Sequence, residues 1–454
     1  MMDDEKKVMM QAEQRAFAYL SSVDERNVYP SQHALDKLSR FDEALPQDGC
    51  SSSETLALLD DYGSPATVVT NGPRYFGFVV GAALPAAAAA ERLMLAWDQG
   101  AAMYMTSPVC ATIEERARRW LLEILALPED GGVGFGTSAT ACGLACLTVA
   151  RSQLLSRAGW DSEERGLYGA PRMTVVVSET VHVTILKALR ILGFGREQIV
   201  RAAVDEHGRI DPQRLPALDE MTILCLQAGE VNTGEFDPFD ELIPLARKSG
   251  AWVHVDGAFG LWARASSLKD RHTRGVEWAD SWTVDGHKWL NTPYDCAMAI
   301  CRDADALSRA MNSDAVYASA SKTAQKNMTL EFSRRARGVP VWAALRTLGK
   351  SGVASMVERH CAMASELAAW LRDAGFNVLN RVVLNQIVVR GRTDEETTRI
   401  RSMVEKSGEA WFGPTVWKGE IAFRISISSW RTTQADIGRL FAAIVRARDG
   451  TENI

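Results

Sequence analysis

Residues 250–260 read GAWVHVDGAFG. Ala251, Trp252 and Val253 have the apolar character of a buried strand, the run ends at Asp256, and small residues follow. Burial disfavours an ionised carboxylate unless a cation or a hydrogen-bond donor meets it. A carboxylate at the end of such a strand therefore calls for a positive partner. From Gly131 to Cys301 helix-like stretches alternate with short apolar runs, namely MTVVVSE, QIVRAAVD, MTILCLQAG, AWVHVDG, SWTVDG and CAMAICRD. That alternation predicts an α/β layer with a largely parallel sheet and helices on both faces. Residues up to about Asp61 read as helix, loop and helix, and TNGPRYFGFVVGAALPA reads as loop. After about Val353 a long helix and a few strands predict an α+β cap.

With 454 residues the chain is long for one hydrophobic core. A charged fraction of 24% is that of an ordinary globular protein, and a net charge of −6 offers no general attraction to nucleic acid or to an anionic membrane. The start, MMDDEKKVMMQAEQ, lacks the apolar core of a signal peptide, and the alanine-rich GAALPAAAAAERLMLAW is too short to span a bilayer. Eight scattered cysteines without a CxxC pair read as reduced thiols, neither a zinc site nor disulfides, so no metal is expected and a cytoplasmic location is.

The residues that point to that partner come 32 positions after Asp256, around Lys288. In DSWTVDGHKWLNTPYDCAMAICRD, Asp285-Gly286-His287-Lys288 lies between two strands. A lysine amine in a partly apolar site forms a Schiff base with an aldehyde. A strand-end carboxylate keeps a proton on the ring nitrogen of a pyridine cofactor, so that the ring withdraws electrons. Taken singly, Lys288 reads as a surface lysine and Asp256 as a helix cap; together they read as a site. In GGVGFGTSATACGLACLTVAR small residues lead into a helix, which offers its N-terminal N–H groups to an anion at Ser138, Ala139 and Thr140. The same stretch holds Gly134-x-Gly136-x-x-Ala139, formally a dinucleotide pattern, but it follows LPED and no evident strand. His182 stands where a strand passes into an amphipathic helix, the position at which α/β proteins bind ligands.

These stretches resemble the group II pyridoxal-phosphate amino-acid decarboxylases, the family of aromatic-L-amino-acid, histidine and glutamate decarboxylases. PRYFGFV, TSPVCATIEE, His182, HVDGA, ADSW, DGHKWL and SRRARGVPVW occur in order between Pro73 and Trp430. The resemblance implies the aspartate-aminotransferase-like (type I) fold, with a mostly parallel seven-stranded sheet, pyridoxal 5'-phosphate as cofactor, and a homodimer with its active site at the subunit interface. Three segments are expected: 1–84, N-terminal dimerisation helices; 85–353, the large cofactor-binding domain; and 354–454, a small C-terminal domain. Lys288 matches the Schiff-base lysine, Asp256 the pyridinium partner and His182 the ring-stacking histidine. Ser138, Ala139, Thr140 and His287 match phosphate-binding positions, and Ala258 the opposite ring face. Tyr75, Phe76, Phe78 and Tyr104 are expected in the substrate pocket.

The chain also departs from the family. The decarboxylases carry a proton-donating tyrosine on a loop ahead of RRxR; here Gln325 stands at that position, and Gln is no general acid. Tyr317 is the nearest phenol, in a small, polar loop from about Met311 to Leu330 that is expected to close over the site. Asp285 replaces a frequent Asn and is expected to turn its charge away from the phosphate. Decarboxylation of an L-amino acid to its amine is the leading reading. The alternatives are oxidative decarboxylation to an aldehyde, aldol cleavage or transamination, or a cofactor-binding partner protein without turnover. The pocket aromatics favour an aromatic side chain, while Arg74 would select an acidic one.

Overall fold

The computed structural model describes residues 2–312 and 321–450. In chain order the first helices are α1 (Met2–Ser22), α2 (Gln32–Asp36), α3 (Ser52–Leu58), α4 (Pro85–Trp97), α5 (Pro108–Ile124), α6 (Ala139–Arg157) and α7 (Ser162–Arg165). There follow α8 (Val183–Ile191), α9 (Phe239–Ser249), α10 (Ala304–Met311), α11 (Gly338–Asp373), α12 (Asp394–Ser407) and α13 (Gln434–Asp449). No helix among the described residues is long and apolar enough to cross a membrane.

The chain gathers into two compact units. One comprises Ala83–Ser365 with Asn380–Gln386, the other Met1–Ala82 with Glu366–Leu379 and Ile387–Ile454. In this division the N-terminal helices group with the C-terminal residues.

The larger unit is built on seven strands, β1 (Gly132–Gly136), β2 (Thr174–Ser178), β3 (Ile199–Ala202), β4 (Thr222–Gln227), β5 (Trp252–Asp256), β6 (Ser281–Asp285) and β7 (Ala297–Cys301). Their order is β1-β7-β6-β5-β4-β2-β3. From β3 to β6 neighbours are parallel, while β7 runs antiparallel to both β6 and β1. Every residue of β4, β5 and β6 is buried, as a sheet covered on both faces requires. The six strands expected from their composition are all present. The seventh, β1, is not evident in the sequence, because three of its five residues are glycine. A Cβ on Gly134 would lie 1.9 Å from the Met328 carbonyl oxygen, so the close approach of the chain there demands glycine. The first two glycines of the dinucleotide-like pattern therefore lie inside a strand, one that pairs antiparallel with β7 and not in a parallel βαβ unit.

One buried ion pair ties this unit together. The Arg334 guanidinium forks onto both carboxylate oxygens of Glu114 at 2.7 Å, and both side chains are at most 1% exposed. Arg334 also donates to the carbonyls of Ala101 and Phe135, and Glu114 accepts from the N–H of Gly338. The start of α11, the centre of α5, the edge strand β1 and the loop before α5 are thereby joined at one point.

The smaller unit carries a four-stranded sheet of order β10-β11-β9-β8, made from β8 (Asn377–Val378), β9 (Gln386–Arg390), β10 (Gly413–Trp417) and β11 (Glu420–Ser426). Here Tyr75 stacks on Trp411 with ring centroids 5.1 Å apart, Phe78 stacks on the same indole, and Phe76 is fully buried. Arg74 is buried, and donates to the carbonyls of Glu409, Asp24 and Arg26. Its guanidinium is engaged by its own unit, so the expectation that it selects an acidic substrate is overturned.

Breaking the Glu114–Arg334 pair leaves a buried charge unmatched, which costs about 3–5 kcal/mol, whereas replacing both partners by apolar groups costs far less. Glu114→Ala should therefore lower the urea midpoint sharply, and Glu114→Leu combined with Arg334→Met should recover much of the loss.

Candidate active site

In the parallel strands β2, β4, β5 and β6 the C-terminal ends lie on one side of the sheet, the side on which open α/β sheets bind ligands. His182, Gln227, Asp256 and the segment from Asp285 to Lys288 all stand there. Adjacent strands set their order: Gln227 is in register with Asp256, and Asp256 with Thr283.

Asp256 is 8% exposed. Its Oδ1 accepts from the Ala258 N–H at 3.1 Å and lies 3.5 Å from the Thr283 hydroxyl. Among the described residues no cation stands within ion-pair reach of Asp256, and no donor is directed at Oδ2. A nearly buried carboxylate in this state suits a protonated ring nitrogen.

Lys288 follows β6 by one short turn, and its Nζ lies 2.9 Å from Asp285 Oδ2. The other oxygen of Asp285 accepts from the Ala139 N–H at 2.8 Å, at the first turn of α6. The expectation that Asp285 turns its charge away is therefore overturned: the carboxylate sits between the helix N-terminus and the lysine, where both positive poles offset its burial. Ser138 caps α6 by accepting from the Ala141 N–H, and Thr140 lies partly exposed in the first turn. His182 caps α8 in the same way, its Nδ1 being 2.7 Å from the Thr184 hydroxyl. The backbone of Ala258 links two strands, its carbonyl accepting from the Asp285 N–H.

His287 is buried, with Nδ1 accepting from the Cys296 N–H. Tyr294 stacks on its ring at 4.4 Å between centroids. This phenol was not singled out in the sequence, because nothing in NTPYDC separates it from a loop residue. Burial, partly countered by Asp285, holds the His287 pKa below 6.5.

Of the expected pocket residues, Tyr104 is two-thirds exposed in the larger unit, whereas Tyr75, Phe76 and Phe78 belong to the smaller one. Tyr317 lies outside the described residues. The Gln325 side chain accepts from the Phe135 N–H and donates to the Val133 carbonyl, both at 2.9 Å, and so pairs with the open edge of β1.

Residues 39–391 match the family described as pyridoxal-dependent decarboxylase conserved domain, and the chain belongs to that family. It is a pyridoxal-phosphate-dependent enzyme that decarboxylates an L-amino acid. Tryptophan decarboxylase 1 of Oryza sativa subsp. japonica is 27% identical over 455 residues, spanning 90% of this chain and 87% of that one. The L-2,4-diaminobutyrate decarboxylase of Rhizobium meliloti (strain 1021) is also 27% identical, over 431 residues, spanning 88% and 83%. The crystal structure of Oryza sativa TDC with PLP and tryptamine shares the fold, with a TM-score of 0.90 at 24% identity over 99% of both chains.

The donor set fits the cofactor. Asp256 would offer a carboxylate to a ring nitrogen, Lys288 an amine to an aldehyde, and Ser138, Thr140 and His287 polar groups to a phosphate near the first turn of α6. Because its folded pKa is depressed, His287 stabilises the protein above pH 6.5, and that contribution is lost as pH falls through the folded value. Its ring carbon signals in a pH-titrated NMR spectrum should accordingly turn over below 6.5.

Proposed function

We propose that this enzyme releases the carboxylate of an L-amino acid with an apolar or aromatic side chain as carbon dioxide and returns the amine. The observation that carries the assignment of residues is Asp256: a strand-end carboxylate without a cation of its own, one strand from Lys288. When bound, pyridoxal phosphate supplies an aldehyde carbon that takes up amines and a ring that draws electrons from the bond to the carboxylate. Lys288 would hold that aldehyde and yield it to the substrate amine. Asp256 would keep a proton at the ring nitrogen, and His182 and Ala258 would hold the ring. Ser138, Ala139, Thr140 and His287 would hold the phosphate.

The substrate side chain is suggested by the exposed rings of Phe78 and Tyr104 and by the tryptophan named for one relative; diaminobutyrate, named for another, argues for testing basic side chains as well. Exposed apolar residues on α4, namely Leu93, Leu95 and Trp97, support a homodimer in which a second copy covers them and completes the site. The free state of the eight cysteines supports a cytoplasmic location.

Loss of carbon dioxide must be followed by delivery of one proton. Gln325 is no acid and its amide is bound to β1, which favours a second reading: one molecular oxygen takes two electrons from the substrate carbon and one water hydrolyses the resulting imine, giving aldehyde, ammonia and hydrogen peroxide with the carbon dioxide. Tyr317 is our candidate for the donor if amine is formed.

Borohydride should fix the cofactor on the peptide containing Lys288, and Lys288→Ala should abolish carbon dioxide release. With a panel of aromatic, basic and acidic amino acids, amine should form in step with carbon dioxide. Peroxide and aldehyde in equal amounts would establish the oxidative reading instead, and Tyr317→Phe should shift wild-type product in that direction. Sedimentation of the cofactor-loaded protein at micromolar concentration should show a dimer; a monomer would overturn the shared site.

A further inference from the structure

A second cleft, of about 710 Å³, opens at the other end of the sheet from His182 and Asp256. Its walls come from α6, from the segment that leads into β2, and from the segment between α8 and β3. Met173 and Gln198, which line it, immediately precede the first residues of β2 and β3. The cleft is thus one strand length removed from the catalytic ends. Leu155, Met173, Leu192 and Phe194 form a buried apolar wall.

The charge in this cleft is unbalanced. Arg151, Arg172 and Arg196 line it, and Glu197 is the one acid among the lining residues. Arg151 donates from Nη1 to the Leu192 carbonyl at 2.9 Å, while its Nε is buried without a hydrogen-bond partner. Among the described residues no carboxylate forms an ion pair with Arg151, and burial alone lowers its pKa with no acid opposing the shift. Arg334 also leaves its Nε without a partner, but both its Nη groups fork onto Glu114, and Arg74 donates to three carbonyls; among the described residues half-buried Arg151 has neither a carboxylate nor a second carbonyl. Capping the C-terminus of α8 through Leu192 explains one N–H of Arg151. A lysine would do as much, and the rest of the fork remains unexplained.

We infer that this cleft is a binding site for an organic monocarboxylate with an apolar body, held by Arg151 at the carboxylate and by the leucine, methionine and phenylalanine wall at the body. The volume lies within the range of about 300–1,000 Å³ in which small ligands are bound. A planar fork matches a carboxylate in two parallel hydrogen bonds, and Arg172 and Arg196, both exposed at the rim, attract anions and repel amines. The site is also linked mechanically to the chemistry. Helix α8 carries His182 as its N-cap, and its C-cap, Leu192, is the residue Arg151 grips.

The test uses 4-(trifluoromethyl)phenylacetate as probe and its uncharged amide as control, with binding to the cofactor-loaded protein followed by fluorine NMR. The acid should bind at least tenfold more tightly than the amide. Arg151→Met, which keeps the length and packing of the side chain, should weaken the acid about tenfold and leave the amide unchanged. Arg151→Lys, which keeps the charge and the bond to Leu192, should retain part of the affinity and serves as the folded reference if the methionine variant melts early. Equal affinity for acid and amide, or an acid affinity indifferent to both substitutions, would overturn the assignment.

Discussion

The larger unit depends on one ion pair that water does not reach. Glu114 and Arg334 are 220 residues apart in the chain and meet as a two-pronged pair with no solvent to weaken it. Neither could be buried alone. Because the fork of Arg334 reaches two further carbonyls and Glu114 a further N–H, the pair fixes a junction of four segments. Among those segments is β1, which leads directly into the helix whose first turn meets Asp285. The position of the α6 first turn, and so of the Ala139 N–H that meets Asp285, is thus inherited from a distant salt bridge. The Ala139 N–H and the Lys288 amine share one carboxylate, so a shift of β1 would be felt at the lysine.

What was legible in the sequence follows from how much each feature depends on its neighbours in the chain. The central strands announce themselves because they are buried on both faces, and composition reports that without knowledge of the partner. Asp256 and Lys288 stood out because a carboxylate ending an apolar strand and a lysine after a turn are expensive arrangements, and folding puts them at the ends of adjacent strands. The glycine strand β1 did not, since Gly134 answers to Met328, almost 200 residues away, and Gly132 to Ala304. Arg74 reads as a substrate clamp until the three carbonyls that hold it are brought together by folding. Asp285 is the same case in reverse: its two positive neighbours, a helix turn and a lysine, look like rivals for the phosphate until they are seen to share the carboxylate.

The chemistry of the family rests on keeping the cofactor's ring protonated and its aldehyde accessible, and both demands fall on strand ends. Strand ends are a good place to meet them. The parallel strands hold Asp256 and the turn to Lys288 at a fixed spacing, and the small residues Gly257 and Ala258 follow at the end of β5. The two helix caps, Ser138 and His182, belong to the same arrangement: each ends a strand-to-helix turn with a side chain that satisfies backbone N–H groups and faces the same end of the sheet.

The position of Gln325 has a consequence for what the enzyme is able to become. An edge strand with free N–H and C=O groups is a template on which another chain can pair, and β1 is short, rich in glycine and without a charged side chain of its own. The amide of Gln325 occupies one N–H and one C=O of that edge and so acts as a one-residue substitute for a neighbouring strand. A tyrosine at the same position would bring an acid, with a single oxygen in place of the separate amide O and N that meet the strand's N–H and C=O. A lineage that exchanged one residue for the other would therefore trade proton delivery against resistance to aggregation, and the choice of product would be tied to solubility through a single side chain.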